Sequence, residues 1–137
     1  MNSVVHFEVT ADDTKRAKKF YGTVFDWKFN EMGGEYGNYI MAYTAKTDKE
    51  GMIQRKGAIN GGIMPKDKTA KQTMLTVAIT NLKKTLKKVK SNGGKVISET
   101  VEIPNVGLYS RIQDTEGNVV SLMEPTKEWQ EKAEKLK

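Results

Sequence analysis

The sequence predicts an α+β protein assembled from two copies of one βαβββ module. Three observations predict it: a switch from two-residue to helical periodicity near the N-terminus, the same switch about seventy residues later, and three further strand candidates behind each helix. Val4 to Val9 alternates as a strand, with Val5, Phe7 and Val9 on one face and His6 and Glu8 on the other. Ala17, Phe20, Tyr21, Val24 and Phe25 then recur at helical spacing, behind Asp12 and Asp13 where an N-cap belongs. Strand candidates follow at Trp27 to Met32, Tyr36 to Thr44 and Ile53 to Met64, punctuated by Gly33-Gly34 and by Asp48 to Gly51.

The second copy opens with Leu75, Val77 and Ile79 on one face and Met74, Thr76 and Ala78 on the other. Asn81 caps a stripe of Leu82, Leu86 and Val89, and Asn92-Gly93-Gly94 supplies residues that tolerate the left-handed end of a helix. At one offset His6 falls on Met74, Asp13 on Asn81 and Tyr21 on Val89. Three strands are expected at Lys95 to Ile103, Gly107 to Gln113 and Asn118 to Glu124, with turns at Pro104-Asn105 and Asp114 to Gly117. A short terminal helix over Glu128 to Leu136, carrying Trp129, Ala133 and Leu136 at helical spacing, is expected to dock by plain packing. The expected organisation is one domain, with module 1 over about 1–66, module 2 over about 72–125 and the last helix over about 127–136.

Composition narrows the chemistry. With 137 residues one ordinary core suffices, and the absence of cysteine removes disulfides, thiol catalysis and cysteine-held zinc. The N-terminus has no basic segment leading into a long apolar run, and no stretch reaches the length of a membrane span, so a soluble, unexported, cytoplasmic protein without membrane partners is expected. The net charge of +6 is carried almost wholly by lysine; Arg16, Arg55 and Arg111 are the only arginines. Scattered lysines without arginine forks or interleaved aromatics predict a solvated surface rather than a nucleic-acid partner. The charge also disfavours a cationic ligand through long-range repulsion. Phosphate-loop and dinucleotide fingerprints are absent, and no serine sits in a strand-turn-helix elbow.

Several runs in order resemble one family over nearly the whole chain. Val5-His6-Phe7-Glu8-Val9, Asp12-Asp13, Phe20-Tyr21-Gly22 and Phe25-Asp26-Trp27 look like the opening strand and helix of the vicinal oxygen chelate superfamily, the group of glyoxalases, bleomycin resistance proteins and extradiol dioxygenases. Asn92-Gly93-Gly94-Lys95-Val96 and Asp114-Thr115-Glu116-Gly117-Asn118-Val119 look like its second helix exit and final hairpin. The resemblance implies a curved, half-barrel sheet of eight strands with helices on the convex side and a ligand cleft on the concave side. It implies a homodimer as well. Fold likeness alone assigns no reaction.

The family's enzymes place metal ligands on the first and last strands of each module. At those positions this sequence has His6, Met74, Ser121 and the segment Ala58 to Met64, so His6 is one expected ligand of four. A thioether and a hydroxyl are poor partners for a hard divalent ion. His6 and Glu8 project to one side and are the candidate catalytic pair; they could be satisfied by neighbours such as Thr76 or Ser121, touch a ligand as a general-base pair, or seat a weakly held ion, in that order of preference. The expected cleft is His6, Glu8, Met74, Thr76, Ser121 and Met123. Methionines and small hydroxyls suit a small organic ligand, anionic or neutral. Gly61-Gly62 marks a bulge or a close approach, with the bulge preferred. Glu124 is expected on the opposite face as a surface charge, and Arg111 stands in or out of the cleft according to hairpin register. The expected function is therefore glyoxalase-like small-molecule binding with no cofactor. The alternative is a glyoxalase-like lyase or isomerase with an unusual divalent-metal site at His6 and Glu8.

Overall fold

The structure is a computed structural model that describes residues 1–135, with side chains as far as Glu131. The chain divides into two compact units, Val5–Met74 and the chain from Leu75 onward together with Met1–Val4. No described helix is long and apolar enough to cross a membrane.

In the first unit β1 (Val4–Ala11) leads into α1 (Thr14–Phe25), followed by β2 (Lys28–Glu31), β3 (Ile40–Tyr43) and β4 (Asn60–Pro65). The strands lie in the order β2-β3-β4-β1, and β1 runs parallel to β4 with His6 opposite Asn60 and Glu8 opposite Gly62. Alternation sends Val9 and Ala11 inward with Ile40 and Ile63, and Phe7, Ala17, Tyr21 and Phe29 pack against them. Asp13 caps α1, its carboxylate accepting the Arg16 N–H at 3.0 Å. The expected helical stripe divides: Ala17 and Tyr21 meet the core, whereas Phe20, Val24 and Phe25 are each more than half exposed.

Two expected strands are shorter than their sequence runs. Gly33, Gly37 and Asn38 all take positive φ, so Gly34–Tyr36 forms one tight helical turn and pairing begins only at Ile40. Between β3 and β4, Asp48 draws in the N–H groups of Glu50 and Met52, Gly57 turns at φ 82°, and only the bridge Thr47 to Ile53 survives of the early strand.

The second unit contains β5 (Met74–Ala78), α2 (Leu82–Ser91), β6 (Lys95–Val96), β7 (Val101–Ile103), β8 (Gly107–Gln113), β9 (Val119–Pro125) and α3 (Lys127–Lys135). β5 runs parallel to β9, which pairs with β8, and β8 pairs with both β6 and β7. Ile79, Leu82 and Leu122 form the core, with Val77, Leu86, Leu108, Ile112 and Val120 packed on it. Leu75, expected on this face, is instead half exposed. The single strand expected over Lys95 to Ile103 is two, which makes nine strands among the described residues where eight were expected. Register shifts by two residues between Val96–Ile112 and Val101–Tyr109, and the Ser98 hydroxyl accepts the Arg111 N–H at 2.7 Å inside the bulge.

Asn81 caps α2 by accepting the Lys84 N–H at 3.0 Å. Glu124 accepts the Leu82 N–H at 3.3 Å, so it lies on the helix side as expected but serves a second orphan donor rather than standing as a bare surface charge. The helix closes as its glycines foretell, with Gly94 N–H on the Val89 carbonyl at 2.9 Å and Gly93 at φ 89°. Replacing Asn81 with alanine is expected to cost about 1 kcal/mol, seen as a lower urea midpoint at unchanged slope; an unmoved midpoint would mean that the cap adds nothing. In α3, Trp129 is 38% exposed; the Ala133 side chain and Leu136, the rest of its expected stripe, lie outside the described residues.

Candidate functional site

In the first unit the face of β1 opposite α1 carries His6 and Glu8. Glu8 is 4% exposed and His6 half-buried, its Nε2 lying 2.7 Å from the Tyr39 hydroxyl. Burial pushes the His6 imidazole down to about 4, because leaving water penalises the cation. His6 is therefore neutral near pH 7. Tyr39 reaches it by passing over Gly62 of β4, where an added Cβ would collide with the Tyr39 ring and hydroxyl. A Cβ on Gly61, which points the other way, would fall within the Phe7 ring. The pairing of β4 with β1 and β3 runs through both glycines without the expected bulge, and aromatic rings of the same chain lie against them on the two sides.

Asn60, opposite His6, is buried and already engaged. Its Oδ1 accepts the Thr44 N–H at 3.0 Å and its Nδ2 donates to Thr47 Oγ1 at 2.9 Å, which ties the chain after β3 to β4.

In the second unit the hairpin settles where Arg111 points. Asp114 N–H donates to the Asn118 carbonyl, leaving Thr115-Glu116-Gly117 as a three-residue tip with Gly117 at φ 85°. The Asp114 carboxylate accepts from the Asn118 side chain and from the N–H groups of Asn118 and Glu116, and these bonds hold its pKa below the usual range. Register then sets Arg111 opposite Ser121, and Ser121 opposite Thr76. Val77 and Leu122 point to α2, so Thr76, Ser121, Met123, Tyr109 and Arg111 share the other face. A hydrogen-bonded series crosses it: Arg111 Nε donates to the Tyr109 hydroxyl at 3.0 Å, which lies 2.7 Å from Ser121 Oγ. Thr76 is 2% exposed and its Oγ1 has no partner among the described residues. A buried unmatched hydroxyl costs about 1–3 kcal/mol.

The structure thus brings Thr76, Ser121 and Met123 together on the second unit and keeps His6 and Glu8 together on the first. Met74, at the start of β5, is buried at 3% exposure. Tyr39 and Tyr109 were not anticipated. Alternation from Arg111 could have found Tyr109, but Tyr39 follows the left-handed Asn38 in a loop, where no periodicity applies.

The donor set does not fit a catalytic metal. Among the described residues no three His, Asp or Glu side chains could hold an ion together. The positions that would carry ligands hold a thioether, a serine bonded to Tyr109, an asparagine bonded to Thr44 and Thr47, and a histidine bonded to Tyr39.

Two βαβββ-type units with these faces, the second with one strand divided in two, define a glyoxalase-type α+β protein, and comparison with known proteins agrees. Residues 3–122 match the model of the Glyoxalase/Bleomycin resistance protein/Dioxygenase superfamily. A glyoxylase-like domain-containing protein of Didymella fabae is 32% identical over 117 residues, covering 81% of this chain and 84% of that one. The chain belongs to this superfamily. Among solved structures it is similar in fold to methylmalonyl-CoA epimerase from Mycobacterium tuberculosis, at 14% identity and a TM-score of 0.63, covering 93% of this chain and 91% of that one. A superfamily member from Vibrio splendidus 12B01 gives 8% identity and a TM-score of 0.59, covering 90% and 99%.

Proposed function

We propose that the protein binds a small organic ligand, anionic or neutral, without a metal ion. The observation that carries this reading is that Tyr39 and Tyr109 already hold His6 and Ser121, two of the positions where the superfamily's enzymes bind metal. Arg111, its Nε bonded to Tyr109, lies on the face of Thr76 and Ser121, and the unmatched Thr76 hydroxyl on that face offers a polar contact for such a ligand. A methylmalonyl-CoA epimerase of this fold has been solved with methylmalonyl-CoA, which supports the class of ligand without naming this one.

Protein purified without chelator is expected to carry far less than one equivalent of zinc, nickel, iron or manganese, and its melting temperature should not rise with added metal. Elemental analysis and thermal shifts on the native protein and on His6→Ala check this. Stoichiometric metal that disappears with His6 would overturn the reading in favour of a lyase or isomerase using His6 and Glu8. A screen of small carboxylates is the positive arm: a ligand at a hundredfold its Kd should stabilise by about 2.7 kcal/mol, and Arg111→Ala should abolish that gain.

A further inference from the structure

The first unit also presents a surface that small-ligand binding does not use. α1 has no fully buried residue, and Phe20, Val24 and Phe25 are 56%, 54% and 56% exposed. Beside it an open trough of about 450 Å³ runs between α1 and β2, lined by the apolar Trp27 and Phe29, by Gly22, against which Phe29 packs closely, and by Lys15, Lys18 and Lys19. Lys19 and Thr23 are shared with a second hollow of about 290 Å³ that includes Phe20 and Val24. Contiguous exposed apolar surface beside a trough marks an interaction site more often than plain surface.

Two features say what fits. First, β2 ends the strand order, pairing with β3 on one side only among the described residues. Met32 N–H donates to the Tyr39 carbonyl at 2.9 Å, so by the alternation of an antiparallel pair the backbone groups of Phe29 and Glu31 face the open side. Among the described residues these groups have no neighbouring strand to pair with, and Phe29 and Glu31 both line the trough.

Second, Lys15, Arg16, Lys18 and Lys19 crowd the start of α1. The Lys18–Glu31 pair, at 3.4 Å with both side chains more than a third exposed, is weak and leaves the rim positive. A second copy docking by two-fold symmetry would set these cations against themselves. A lipid surface would match the charge but has no backbone to pair with β2.

We propose that the trough between α1 and β2 takes an acidic, extended segment of a partner protein, which adds as a strand to β2 and sets alternate carboxylates on Lys15, Lys18 and Lys19. This is strand addition beside a helix, with backbone pairing supplying affinity and the lysine rim supplying selection.

The test uses the full chain and a fluorescently labelled octapeptide of alternating glutamate and valine. Polarisation should show saturable binding that weakens with salt. Lys15→Glu with Lys19→Glu, both at exposed positions, should weaken it at least tenfold while the melting temperature stays put. N-methylation of alternate peptide amides should weaken it comparably, and saturation should slow amide exchange at Phe29 and Glu31. Absence of binding, or binding indifferent to the charge reversals or to N-methylation, would overturn the proposal. So would tighter, lysine-dependent binding to phosphatidylserine vesicles, which would make the surface a lipid contact, or a homodimer in light scattering that the charge reversals disrupt.

Discussion

Gly62→Ala is expected to destabilise the protein by about 2–4 kcal/mol, at the upper end of what a single added methyl group does. The new Cβ would occupy the space of the Tyr39 ring, so the ring must leave β4. Its departure breaks the 2.7 Å bond to His6 and leaves a desolvated imidazole without that partner. The cause can be separated from any general dislike of a side chain in β4 by a double-mutant cycle. In a Tyr39→Ala background the space is free, and the same change should cost less than about 1 kcal/mol. Equal costs in both backgrounds, read from urea unfolding, would show that Tyr39 does not set the requirement for glycine.

The second large effect is a loss of stability in acid that belongs to His6. Its folded pKa of about 4 lies below the ordinary value of 6.5, so between these pH values the unfolded chain binds more protons than the folded one. The stabilising contribution is complete above pH 6.5 and is lost as pH falls toward 4. From the width of that window it amounts to about 2–3 kcal/mol, less than the whole window because the imidazole keeps part of its surface in water. Carboxylates such as Asp114, whose pKa is lowered by its bonds to Asn118, also lose stabilisation as they protonate, at lower pH. His6→Gln isolates the histidine: it keeps a donor for Tyr39 and does not titrate. The difference in unfolding free energy between pH 7.5 and pH 4.5 should shrink by about 2 kcal/mol in the variant. An imidazole that titrates near 6.5 by NMR would show that burial does not govern it.

Much of the fold was legible because its signals are local. Phe7 and Val9, like Val77 and Ile79, alternate onto their helices as two-residue periodicity requires. Asp13 and Asn81 cap where short polar side chains reach an N–H three residues on, and Asn92-Gly93-Gly94 ends α2. The superfamily was legible too, since its motifs are made of such punctuation. Alternation also set His6 beside Glu8 on one face of β1, and put Thr76 on the face of β5 where it meets Ser121.

What the sequence by itself determined is thus whatever depends on neighbours within a few residues: element type, caps, turns and the face of each strand. Tertiary structure decided the rest. A helical period orders residues around an axis but does not say how far the sheet extends beneath it, so it could not tell that Ala17 and Tyr21 would be covered while Phe20, Val24 and Phe25 stayed exposed. Two glycines in a strand read alike whether they accommodate a bulge, a ligand or a ring, and only coordinates put Phe7 over one and Tyr39 over the other. The partners of His6 and Ser121 come from loop and hairpin geometry 33 and 12 residues away, and contacts at such separations leave no period in the chain.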